Sequence, residues 1–156
     1  MEIYQQLADA TQEVFQSMLA MEIAPQAEIG TPPESFSETV SGMVGMGGLY
    51  KGIVAVHAPY PLAKKITSQF LMTDVDEIND DVLDAFGELA NMLAGSIKAM
   101  LSSSGKDIQL SVPSSVSGEK YTLDINRSQG THLIVPFETE AGQLLIQLHF
   151  EKQNGG

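Results

Sequence analysis

The residues with the clearest chemical content lie along one stretch: Asp84, Glu88, Asn91 and Gly95. Their spacings, i, i+4, i+7 and i+11, put them within about 60° of one another on a helix that turns about 100° per residue. The stripe presents a carboxylate, then a carboxylate and an amide one turn apart, then a patch of bare backbone. Such groups pair with cations and make hydrogen bonds. Two readings stay open on the residues alone. One is a solvated helix face, where acids belong and Asn costs only about a few tenths of a kcal/mol. The other is a functional surface. Gly87 and Gly95 each cost about 1 kcal/mol relative to Ala inside a helix. Gly95 also lies on the carboxylate face, where a missing side chain lets another molecule approach closely.

The element that must carry the stripe is a helix over about 80–102. Val82, Phe86, Leu89, Leu93, Ile97 and Met100 gather on its other side and are expected to pack on a sheet. Asn79 is the expected N-cap, with Asp80 and Asp81 favourable in the first turn. The cluster Ser102-Ser103-Ser104-Gly105 ends it. Ile3, Leu7, Ala10, Val14, Phe15, Met18 and Leu19 recur at helical spacing and predict a first helix over 3–21. Pro61 suits the first turn of a short helix running to about Met72. Strands are expected within 26–48 and over 49–58, 107–112, 120–125, 131–137 and 144–150, with turns at Gly118 and Ala141-Gly142. The fold class is therefore α+β. A single domain over 1–152 has a mostly antiparallel sheet of about six strands, packed by two long helices and one shorter one, and 153–156 form a flexible tail.

Composition narrows the function classes. The chain has 156 residues with 20 acids against 8 bases, a formal net charge of -12. Eight scattered bases offer no patch to replace phosphate counterions, so nucleic acid is not an expected partner. At 43% hydrophobic residues the chain is too apolar to be disordered throughout. It has no cysteine, hence no disulfide framework, thiolate zinc site or cysteine nucleophile. Met1 leads into Glu2-Ile3-Tyr4-Gln5 with no basic-then-apolar segment, so no signal peptide is expected. Apolar runs fall far short of the roughly 20 residues a membrane helix needs. A cytoplasmic location without membrane attachment is expected.

The flanking pattern adds to the helix. Val40-Ser41-Gly42-Met43-Val44-Gly45, Gly47-Gly48 and Gly52-Ile53-Val54-Ala55-Val56 precede it, and Ile108-Gln109-Leu110-Ser111-Val112-Pro113 with Gly118 follows. Together with Asp84-x3-Glu88-x2-Asn91-x3-Gly95, this resembles the CheX branch of the CheC/CheX/FliY family, phosphatases of the chemotaxis response regulator CheY. The resemblance runs from the first helix to the final strands. It implies a CheC/CheX-like fold whose long helix docks against the acidic pocket of a phosphorylated receiver domain. There Glu88 would pair with the receiver's lysine, and Asn91 would orient the water that attacks the aspartyl phosphate. It implies partner-binding roles for Gly95 and for Asp84, although Asp84 can also act simply by favouring the helix start. It further implies no cofactor or metal bound by this chain, Mg²⁺ in the receiver's active site, and a homodimer. Glu13-x-x-Gln16 in the first helix lacks the Asn and a matching Gly, and a single motif is what CheX-like members show. The alternative reading is a non-catalytic CheX-like interaction or dimerisation module that binds a receiver or a motor or signalling protein. A plain structural dimerisation domain is a third.

Other signals carry less. Gly42 to Gly52 fits neither G-x-G-x-x-G nor the P-loop and reads as a tight hairpin. His57, His132 and His149 lie far apart in sequence without metal-ligand spacing and read as structural. Ser102 to Ser104 lacks a G-x-S-x-G elbow. The acids Asp74, Asp76, Glu77, Asp80 and Asp81 do not form an EF-hand pattern. The methionines read as core and hairpin filler.

Overall fold

The computed structural model describes residues 3–102, 104–125 and 129–153. Of the expected tail, 154–156 lie outside the described residues. The chain begins with helix α1 (Ile3–Leu19), whose Leu7, Val14, Phe15 and Leu19 are buried. A two-residue strand β1 (Ala24–Pro25) precedes the long hairpin of β2 (Phe36–Gly48) and β3 (Tyr50–Pro59). Helix α2 (Tyr60–Leu71) follows at once, with Pro61 in its first turn as expected. Helix α3 (Asp80–Leu101) is the expected long helix, and the Asn79 side chain accepts a hydrogen bond from the Val82 N–H at 3.3 Å. Strands β4 (Ile108–Leu110), β5 (Ser114–Tyr121), β6 (Thr131–Thr139) and β7 (Gly142–Lys152) complete the domain.

The seven strands among the described residues form one antiparallel sheet in the order β1-β6-β7-β3-β2-β4, with β5 also paired to β2. Alternation within each strand separates two faces. Val44, Val54, Leu148 and Leu133 are partners across four successive strands, and all are buried. They face the helices. Val82, Phe86, Leu89, Leu93 and Ile97 of α3 are completely buried against this layer, and the wheel position of Met100 leaves it partly buried at its margin.

Two expectations need correction. The strand expected over 120–125 is instead β5 at Ser114–Tyr121, which places Gly118 inside a strand and not at a turn. Among the described residues β5 pairs with β2 alone, at the sheet margin, and its Ser114-Ser115-Val116-Ser117, exposed at Ser114 and half-buried beyond it, lacks the apolar alternation of a central strand. The strand expected over 107–112 shrinks to Ile108–Leu110 because Ser111 to Pro113 leave the ladder, and Pro113 has no N–H to give it.

The face turned away from the helices carries a buried polar seam. The His57 ring lies between Ser41 and Gln147: Nε2 is 2.9 Å from Gln147 Oε1 and Nδ1 is 2.6 Å from Ser41 Oγ. With Gln147 accepting at Nε2, Nδ1 accepts from Ser41, and Ser41 accepts from the Tyr121 hydroxyl at 2.7 Å. Phe36 stacks on the same ring with centroids 4.4 Å apart. Burial lowers the His57 pKa from 6.5 to about 4, against a smaller upward pull from the Gln147 bond. Both ring nitrogens of His57 are paired with the imidazole neutral, and burial disfavours its charged form.

Two predictions follow from this packing. A Cβ on Gly42 would lie 2.2 Å from the Phe86 carbonyl oxygen, a backbone atom that cannot turn aside. Gly42→Ala is expected to cost about 3 kcal/mol or more in urea unfolding. His57 binds its proton in the unfolded chain near pH 6.5 and in the folded chain only near pH 4. Its contribution is therefore complete above the upper value and lost as pH falls to the lower one. Urea titrations across that window should show a loss on the order of 3 kcal/mol from this group. His57→Asn should lower stability at neutral pH and remove that slope.

Candidate functional site

The stripe forms because the apolar side of α3 has one place to go. Five residues from Val82 to Ile97 are driven into the sheet, and residues 180° away must face water. Asp84, Glu88 and Gly95 are exposed and Asn91 is partly buried. The four residues therefore share one face, as their spacing predicts. Asp80 and Asp81 are exposed in the first turn, where they favour the positive end of the helix. No hydrogen bond or ion pair within the described residues engages the side chains of Asp84, Glu88 or Asn91. Their hydrogen-bonding capacity is held for water or for another molecule.

The two helix glycines have different surroundings. A Cβ on Gly87 would sit in ordinary contact with Pro113, at 3.5 Å. A Cβ on Gly95 would meet nothing within 4 Å. Nothing inside the fold calls for a glycine at 95.

The site is a surface and not a cleft. A cavity of about 730 Å³ lies elsewhere, between the end of α1 and the β6–β7 turn, lined by residues such as Met21, Lys65, Gln69 and Glu140. Among the described residues no group of three or more His, Cys, Asp or Glu side chains is placed to hold a metal ion. No helix among them is long and apolar enough to cross a membrane. What α3 can do chemically is bring an amide and a carboxylate, one turn apart on a rigid support, to a reacting centre on another molecule.

The histidines show what spacing did not reveal. β3, β7 and β6 pair in succession, so His57 meets Gln147, Gln147 lies 3.4 Å from His132, and His132 lies opposite His149 with ring centroids 5.5 Å apart. They line one seam on the sheet face away from α3, and His57 is structural as expected. Only the strand register, which the sequence does not display, could have brought them together.

The three helices among the described residues form a layer on an antiparallel sheet, and one of them, α3, turns a carboxylate and an amide towards solvent. A family model described as "Chemotaxis phosphatase CheX" matches residues 40–138, which include the whole of α3. The chain belongs to the CheX family. Among solved structures it is similar to the chemotaxis protein CheX of Vibrio vulnificus, with 29% identity, 94% of this chain and 97% of that one covered, and a TM-score of 0.82. A CheC-like superfamily protein from Shewanella sp. PV-4 matches with 29% identity, 97% and 99% coverage and a TM-score of 0.83. The CheX in a CheX–CheY–BeF3–Mg complex from Borrelia burgdorferi shares the fold at 20% identity, with 97% and 99% coverage and a TM-score of 0.75. No match was found among curated proteins.

The open space at Gly95 separates stability from docking. Gly95→Ala should raise folding stability by up to about 1 kcal/mol in urea unfolding. If a partner's backbone approaches there, the same variant should bind that partner more weakly than the wild type does.

Proposed function

We propose that this protein is a phosphatase of a CheY-like receiver domain, acting on its aspartyl phosphate through α3. The observation that carries the reading is the pairing of Glu88 and Asn91 on the exposed face of a rigidly seated helix, with neither side chain engaged inside the fold. Family membership supports it, as does the docking of a related CheX with CheY in the Borrelia burgdorferi complex.

In this mechanism α3 lies across the receiver's phosphorylation pocket. Glu88 pairs with the receiver's lysine and fixes the register. The Asn91 amide oxygen accepts a hydrogen bond from a water and aims its lone pair at phosphorus, in line with the bond to the aspartyl oxygen. The water oxygen bonds to phosphorus as the P–O bond to the aspartate breaks. The products are the free receiver carboxylate and inorganic phosphate, and the water's proton leaves with the phosphate or to solvent. Mg²⁺ belongs to the receiver, where it neutralises the phosphoryl oxygens. An acyl phosphate is already reactive, so orientation of the water can supply much of the rate. The reading includes a homodimer, which light scattering would test, and the cytoplasmic location that its substrate requires.

The test is phosphate release from a phosphorylated receiver in Mg²⁺ buffer. Wild-type protein should shorten the lifetime of the phosphoreceiver, and Asn91→Ala should remove on the order of a hundredfold of that acceleration. Glu88→Ala should also abolish it, and both variants should unfold at the wild-type urea concentration. Decay at the intrinsic rate in the presence of wild-type protein would sink the proposal. Binding without acceleration would instead identify a docking module.

A further inference from the structure

We propose that Val112 and Pro113 form an apolar shoulder of the α3 docking face, and that it takes an apolar side chain beside the receiver's phosphorylation pocket. This rests on the receiver-docking reading above. The shoulder is built by an irregularity in the edge of the sheet. β4 pairs with β2 as far as Met46 opposite Leu110, and β5 resumes with Met43 opposite Ser114. Val44 and Gly45 of β2 thus face three residues, Ser111, Val112 and Pro113. That is a bulge, a device that re-aims a side chain out of the ladder.

The bulge is held firmly. Ser111 N–H donates to the Gly45 carbonyl at 2.9 Å, Gly45 N–H donates back to Ser111 Oγ at 2.8 Å, and the Ser111 hydroxyl donates to the Val112 carbonyl at 3.1 Å. Val112 is left 85% exposed. Its position follows from three contacts along α3. The Ser115 hydroxyl donates to the Leu83 carbonyl at 2.8 Å, Pro113 lies against Gly87, and the Ser102 hydroxyl bonds to Asp107. The segment therefore runs antiparallel to the helix, which sets residue 112, next to Pro113, at the level of the turn that begins at Gly87 and carries Glu88 and Asn91.

A single exposed valine on a surface is ordinary. This one is displaced from a strand by a bonded bulge, at the margin of the stripe. The electrostatics indicate what it meets. On the receiver reading the acidic stripe meets a pocket whose phosphorylated group is itself an aspartate, so charge gives little general attraction between them. Affinity then needs contact that does not depend on charge, and a fixed apolar side chain next to the reacting turn supplies it.

The test measures binding and rate together. Binding is read as the Kd for a CheY-like receiver loaded with Mg²⁺ and beryllofluoride, and rate as dephosphorylation of the same receiver. Val112→Ser should raise both Kd and KM about five- to tenfold, with the rate at saturating receiver within about twofold of wild type and an unchanged urea midpoint. Val112→Ile should restore wild-type Kd. Asn91→Ala should do the reverse and lose rate at saturation. An unchanged Kd in Val112→Ser overturns the shoulder, even where wild-type protein is an active phosphatase. Weakened binding by Val112→Ser, with a wild type that binds but does not accelerate, upholds the shoulder and overturns only the phosphatase reading. A wild type that does not bind the loaded receiver overturns both.

Discussion

Helix α3 and strand β2 touch backbone to backbone where Gly42 meets the carbonyl of Phe86, and the rest of the arrangement depends on that approach. Any side chain at 42 would hold the two elements apart by more than a core can absorb. With the helix that close, Phe86 and its neighbours Val82, Leu89, Leu93 and Ile97 are sealed completely. The helix can neither roll nor slide without exposing one of them. Its opposite face is thereby fixed in direction, and Glu88 and Asn91 inherit a defined orientation although no hydrogen bond among the described residues restrains either side chain. A surface site without a pocket can be geometrically exact to the extent that its scaffold is rigid.

The far side of the sheet serves the same rigidity by different means. Ser41, His57 and Gln147 are polar and nearly inaccessible, a combination that destabilises a fold unless every group finds a partner. Here Tyr121, Ser41, His57 and Gln147 form a continuous chain of hydrogen bonds across β5, β2, β3 and β7. The chain ties the edge strand β5 into the centre of the sheet. Because β5 also reaches α3 through Ser115 and Leu83, the seam, the edge strand and helix α3 form one connected unit.

What could be read from the sequence depended on how local its cause was. α3 was legible in full, from its Asn79 cap to the separation of its apolar and acidic faces, because helical periodicity and capping act within a few residues. The β2–β3 hairpin and α2 were legible for the same reason. β5 was not, since an edge strand of serines has neither alternation nor bulk to announce it. β1 is too short to leave a pattern, although its pairing with β6 closes the other end of the order. The meeting of His57, Gln147, His132 and His149, and the bulge at Ser111 to Pro113, both arise from register between strands distant in sequence. The four stripe residues were legible as a face; the bulge beside them required the fold.

The acidity of the chain bears on how such a site could work. Seven acids and no base lie between Ile66 and Ile97, so the exposed side of α3 ahead of Lys98 carries an excess of negative charge. A partner pocket rich in carboxylates would be repelled at a distance, and salt would weaken that repulsion. Attraction must come from short-range terms: one carboxylate meeting one cation, one amide meeting one water, and a small apolar contact. Each needs close registry, so a partner lacking the cation or the matching apolar group keeps the repulsion and gains nothing to offset it. Binding governed this way is selective and weak together. For a catalyst that must release its product and meet another phosphoreceiver, weakness is an advantage, because binding shared equally by ground state and transition state does not raise turnover. On the proposed reading, the negative charge and the sparse motif are parts of one arrangement, in which the interactions that favour docking are concentrated at the turn carrying Glu88 and Asn91.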